Sequence, residues 1–193
     1  MKKVQRSEVL DIGAYEEIRP RFRQRIIEAK QNRRVAVGDH MTFIFENHDT
    51  VLFQIQEMIR TERITKESGI EHEIETYNDL VPGDGELFAT LMIEYEPEGR
   101  REKLDALRGL KDHVFLVVGD RRVQGQFEVL PGEEVDRVPS INYVRFAAGR
   151  DAAALLRDGG RPAALEVDHP SYTARTDLAP PVRRELAEDL ETP

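Results

Sequence analysis

The stretch FIFENHDTVLFQIQEMIRTERI, Phe43 to Ile64, concentrates the amides and carboxylates best placed for chemistry: Gln54, Gln56, Glu57 and Glu62, preceded by Glu46 and His48. A histidine beside carboxylates can hold iron, manganese or zinc. Ligand pairs on a helix fall three or four residues apart, as His72 and Glu75 do, while residues two apart on a strand share a face, as Glu46 and His48 do. Glu46, His48, His72 and Glu75 are therefore the candidate metal ligands, with His40, His113 and the group Glu166, Asp168, His169 behind them. Neither pair extends to the fuller signature of a zincin or a carboxylate-bridged bundle. The reading is a protein without a cofactor, and the alternative is a His/carboxylate enzyme or sensor using Fe, Mn or Zn. Gln54 and Glu62 mark a candidate ligand pocket.

Other chemistries are poorly supported. The chain has no cysteine, which excludes disulfides, thiolate zinc sites, iron–sulfur ligation and thiol nucleophiles from it. Ser68, Ser140 and Ser171 lie in loop-like contexts without an elbow motif. A phosphate cradle needs glycines that open a helix after a strand, whereas Gly83-Asp84-Gly85 precedes a strand and Gly159-Gly160 ends a helix.

The element carrying the opening residues reads as a strand that turns into a helix, Asp49 to Ile64, capped by Asn47 or Asp49. On a wheel of about 100° per residue, Val51, Leu52, Ile55, Met58 and Ile59 form the core stripe, and Glu62 falls inside it near the helix end. Phe53 and Ile64 fall opposite, beside Glu57 and Arg60. This second apolar side is the expected partner-binding face: Phe53 as aromatic anchor, Glu57, Arg60 and Ile64 around it.

Around that helix, RFRQRIIEAK predicts an amphipathic helix opened by Pro20, VAVGDHMTFIFE a buried strand bent at Gly38-Asp39, and SGIEHEIETYNDLV a helix after a break at Gly69. LFATLMIEY is a strand and EGRREKLDALRGL a helix after Pro97. HVFLVVGDRRVQGQFEVL is a hairpin turning at Gly119-Asp120. PGEEVDRVPS is a loop, INYVRFA a strand, GRDAAALLRDGG a helix closed by Gly159, PAALEVD a strand and PPVRRELAEDL a terminal helix. Helices and strands interleave without a regular βαβ beat. The fold class is α+β: a single domain over residues 1–193, with a mixed or largely antiparallel sheet, five or six helices and a loosely ordered lead at 1–13.

Bulk properties narrow the partners. With 28 Lys and Arg against 37 Asp and Glu, the net charge is −9, which disfavours nucleic acid except at a local basic patch. Residues 1–34 hold ten basic and five acidic residues, but Arg19, Arg21, Arg23 and Arg25 fan around a helix and do not form a stripe. No apolar run is long enough for a signal peptide or a membrane span, so a cytoplasmic location is the default.

VGDHMTFIFENHDTVLFQIQEMIRTERI, then EIETYNDLVPGDGELFATLMIEY and VDHPSY, together resemble a bacterial family grouped as domain of unknown function 3501, over the whole chain. The family more often carries an arginine where His48 stands, which argues against a metal role there. The resemblance implies no activity. It implies an association with rubrerythrin-like or iron–sulfur proteins, hence a part in iron handling or oxidative stress. The combined expectation is a non-enzymatic module that binds a redox or iron protein, or a second copy of itself.

Overall fold

The computed structural model describes residues 1–128 and 138–192. Six α-helices are present among them: α1 (Ile12–Gln31), α2 (His48–Thr61), α3 (Glu67–Asn78), α4 (Arg100–Asp105), α5 (Ala152–Arg157) and α6 (Pro180–Glu191). The strands form two antiparallel sheets. β1 (Arg34–Val37), β2 (Met41–Glu46), β3 (Leu87–Ile93), β7 (Ile141–Phe146) and β6 (Gln126–Glu128) lie side by side in that order. The second sheet runs β5 (Arg121–Gln124), β4 (Val114–Val118), β8 (Ala163–His169), β9 (Tyr172–Asp177). The α+β class expected from the sequence holds, with every strand pair antiparallel.

Alternation explains how the sheets pack. Met41, Phe43 and Phe45 of β2, with Leu87, Ala89 and Leu91 of β3, point to one face. They meet Val114, Leu116 and Val118 of β4 and Leu165 and Val167 of β8 in a single core, which α5 and α6 close with Leu156 and Leu186. The opposite face of β3 carries Phe88, the seed of a second, smaller core under α2 and α3 that includes Val51, Ile55, Ile59, Ile70 and Ile74. α2 and α3 thus lie on one side of the five-stranded sheet, and the other sheet, with α5 and α6, lies on its far side.

Several local expectations are corrected. α1 begins at Ile12 with Asp11 as cap, its side chain accepting from the Ala14 N–H at 2.9 Å, so Pro20 lies inside the helix and not in its first turn. The strand expected to bend at Gly38-Asp39 is a hairpin, β1 to β2. Gly38 has φ +66° and stands where an added Cβ would strike Tyr172, whose hydroxyl donates to Val37 O at 2.6 Å and accepts from the His40 N–H at 3.1 Å. Gly69 lies within α3, and α5 ends at Arg157 with Asp158 as its C-cap, one residue before Gly159. β9 was not foreseen. The loop expected at PGEEVDRVPS lies largely outside the described residues.

The lead packs against the body. Val4 and Val9 are buried in the second core. None of the helices described is long and apolar enough to cross a membrane.

Candidate functional site

Of the two amides on α2, Gln56 holds backbone. Gln56, buried, accepts from the Leu10 N–H at 2.6 Å and donates to Leu10 O at 3.2 Å. Asn78 at the end of α3 does the same for Val4, at 2.8 and 3.0 Å. A buried peptide group left without partners costs about 1–3 kcal/mol, so each amide satisfies two groups at once. Asn47 caps α2 through the Thr50 N–H at 3.0 Å, and Gln54 bonds to Tyr77.

The second apolar side of α2 is covered by α1 of the same chain. Phe53 meets the Phe22 ring edge-on at 5.6 Å between centroids. Glu57, expected in a polar rim, is a three-way acceptor: the Tyr15 hydroxyl donates at 2.7 Å, and Arg19 donates through Nε at 2.7 Å and Nη2 at 2.9 Å. Arg19, then Tyr15, hold Glu57 below the usual carboxylate range, while burial first and Glu57 second push Tyr15 up. Arg60 donates to Glu16 at 2.6 Å, and Arg25 pairs with Asp49 at 3.2 Å. Ile64 packs with the α2–α3 core and against Gly69, apart from Phe53. Phe53, Glu57 and Arg60 are therefore engaged by α1, a helix N-terminal in sequence that folds back over them, and Ile64 by the α2–α3 core.

Gln54 and Glu62 both lie near Tyr77. Gln54 is engaged by Tyr77, and Glu62 is exposed as the C-cap of α2, the helix having ended at Thr61 before the wheel position could bury it.

The metal candidates are dispersed among ordinary partners. Glu46 accepts from the Thr90 hydroxyl at 2.8 Å, and His48 lies 3.2 Å from Glu8 and 3.3 Å from Asp49. His72 and Glu75 are exposed on α3. His113 meets Asp168 at 2.8 Å, and Asp168 is drawn below its usual range by Arg122 first and His113 second. His169 is fixed: its Nδ1 accepts from the Ser171 N–H at 3.1 Å, leaving Nε2 to donate to Arg108 O at 2.9 Å. Among the described residues no group of three His, Asp or Glu is arranged to hold a metal ion.

A concave surface not expected from the sequence lies between the lead, α1 and α2. It encloses about 330 Å³ and is lined by Leu10, Ile18, Phe22 and Leu52, with Glu8, Gln56, Arg21 and Arg25 at its margin. Ile18 stands 44% exposed. Arg21 is exposed and carries no ion pair among the described residues, whereas Arg25 shares Asp49. The signal is present in the sequence as the i, i+4 pair Ile18–Phe22, which spans Pro20 and so joins Ile18, ahead of the expected helix start, to the helix itself.

The chain matches the model of one family, protein of unknown function (DUF3501), over residues 3–190. It is similar to a crystal structure of a novel protein of unknown function from Burkholderia pseudomallei K96243, at 35% sequence identity and a TM-score of 0.90, covering 98% of this chain and 100% of that one. No curated protein matches it.

Proposed function

Since the chain belongs to the DUF3501 family of proteins of unknown function, we propose from its own geometry that it is a binding module whose working surface is the groove between the lead, α1 and α2. The observation that carries this is an apolar floor left open beside unpaired positive charge: Ile18 and Phe22 over Leu10 and Leu52, with Arg21 free and Arg25 alongside. Lining of this kind binds; it places no nucleophile next to a base. A matching occupant is an amphipathic helical segment that sets apolar residues on the floor and carboxylates against the arginines. It must be a protein segment with a local acidic face, since the body of this chain is itself acidic.

The test uses two synthetic helical peptides that share leucines at i, i+4 spacing and differ in flanking charge, glutamate in one and lysine in the other. Titrated against the full chain by fluorescence anisotropy, the acidic peptide is expected to bind at least tenfold more tightly, less so at high salt. Arg21→Glu with Arg25→Glu should abolish the preference without lowering the thermal midpoint by more than a few degrees. Equal binding of both peptides, or a preference that survives the double substitution, would sink the proposal. The redox or iron protein implied by the family resemblance is one candidate source of such a segment. A purified rubrerythrin-like protein retained by the wild type and released by the same substitutions would support it.

A further inference from the structure

The lead is attached in the way a receptor holds a peptide. Among the described residues, the only backbone–backbone hydrogen bonds of residues 1–10 are its own short-range ones, Glu8 N–H to Gln5 O and Val9 N–H to Arg6 O. Its bonds to the body run through side chains instead. Gln56 and Asn78 clamp both peptide groups of Leu10 and Val4. Arg6 donates to Glu67 of α3 through Nε at 2.5 Å and Nη2 at 2.9 Å, while its Nη1 closes back on Val9 O at 2.8 Å. Val4 and Val9 fill the apolar cleft of α2 and α3. An amide clamp reads backbone and is indifferent to which chain supplies it, and the arginine fork and the two valines add register.

We infer that the α2–α3 cleft is a peptide-binding groove occupied in cis by residues 3–10, and that it accepts the same segment from a second copy of this chain. A second copy is the occupant because it presents, by identity, every group the cleft already matches: Val4, Arg6, Val9 and the two clamped peptide units. Exchange costs no new contact, since each lead leaves one cleft and enters an equivalent one. On its C-terminal side the segment joins the body at Asp11, the cap of α1. The inference stands apart from the α1 groove: Arg21 and Arg25 make none of these contacts.

The test uses the full chain and a labelled peptide with the sequence of residues 1–11. Substituting Val4→Asp and Arg6→Glu in the chain empties the cleft in cis. This chain is expected to bind the peptide at least tenfold more tightly than the wild type does, because tethering gives the cis segment a high effective concentration. Gln56→Leu with Asn78→Leu, or Arg6→Glu in the peptide, should weaken binding at least tenfold, whereas Arg21→Glu with Arg25→Glu should leave it unchanged. A folded, lead-disabled chain that ignores the peptide would overturn the inference. If that chain does not fold, hydrogen exchange on the wild type decides. Val4 and Leu10 amides opening at least a hundredfold more often than the slowest core amides support it, and exchange only with global unfolding refutes it. Wild-type copies labelled in two colours at Lys2→Cys and Glu75→Cys should show intermolecular energy transfer that excess peptide removes. Absence of transfer, or equal binding of an unrelated peptide with the same valine and arginine spacing, would overturn assignment to a second copy.

Discussion

Glu57 gathers three hydrogen bonds from α1, so its charge state governs how firmly that helix sits. Its carboxyl is held below the unfolded value of about 4.3, so its contribution is fully present above that pH and is lost as pH falls through the lower folded value. Hydrogen exchange of α1 amides should accelerate selectively below about pH 4.3, ahead of the sheets. Glu57→Gln should remove that pH dependence and cost about 1–2 kcal/mol in denaturant titration; an unaltered α1 exchange profile would contradict it. Arg33 makes the opposite case. It is 3% exposed, donates to Asp189 at 2.6 and 2.9 Å and to Glu185 at 3.0 Å, and its Nε finds no partner among the described residues. Asp189→Ala leaves that buried guanidinium with Glu185 alone and should cost about 3 kcal/mol, whereas Arg33→Met combined with Asp189→Leu should recover most of the loss. If the double variant is no better than the single one, the cost does not come from the uncompensated charge. The roles of Gln56 and Asn78 were illegible beforehand for a related reason: their partners are peptide groups, which every residue has and no sequence pattern marks.

Among the elements, strands were the most legible where both faces were distinctive. β3 and the β4–β5 hairpin fell where alternation and Gly119-Asp120 put them. β9 was missed because its inward positions, Tyr172, Ala174 and Thr176, are only half-buried at a sheet edge and make a weak apolar signal. For α1, a helix start at Pro20 falls more than two turns late, a proline usually opening a helix. Here Asp11 already caps it, and Pro20 interrupts the ladder where it cannot donate to the carbonyl of Glu16. Pro20 is exposed, so Pro20→Ala should restore that bond and raise stability by about 1–3 kcal/mol, read as a higher thermal midpoint. A lower midpoint would mean that the proline's effect on the helix path is needed for the contacts of α1 with α2. The second apolar side of α2 was only half legible at this scale. A wheel shows that a second apolar side needs a cover, but not that α1, upstream in the same chain, supplies it.

For the whole molecule, the telling position is Gly125. β5 and β6 are consecutive in sequence yet belong to different sheets, and the chain passes between them at this residue, whose N–H donates to Val114 O at 2.8 Å. A Cβ there would lie 2.6 Å from a methyl of Val144 and 3.1 Å from the Phe146 ring. Gly125→Ala should therefore cost about 1–3 kcal/mol and shift one cooperative unfolding transition, seen alike by probes in either sheet. Two separated transitions would show that the sheets are not one unit. That corner also bears on how the protein is made. The chain lays down β1 to β3 in one sheet, β4 and β5 in the other, then returns to the first for β6 and β7 before finishing the second with β8 and β9. On a ribosome, β3 keeps an unpaired apolar edge until β7 has emerged, and β4 keeps one until β8 has. A polypeptide released before β7 exposes both edges, and one released between β7 and β8 exposes the second. Prematurely terminated chains of this protein should thus be sticky rather than partly folded, and the nascent chain depends on rapid completion or on a chaperone that shields strand edges.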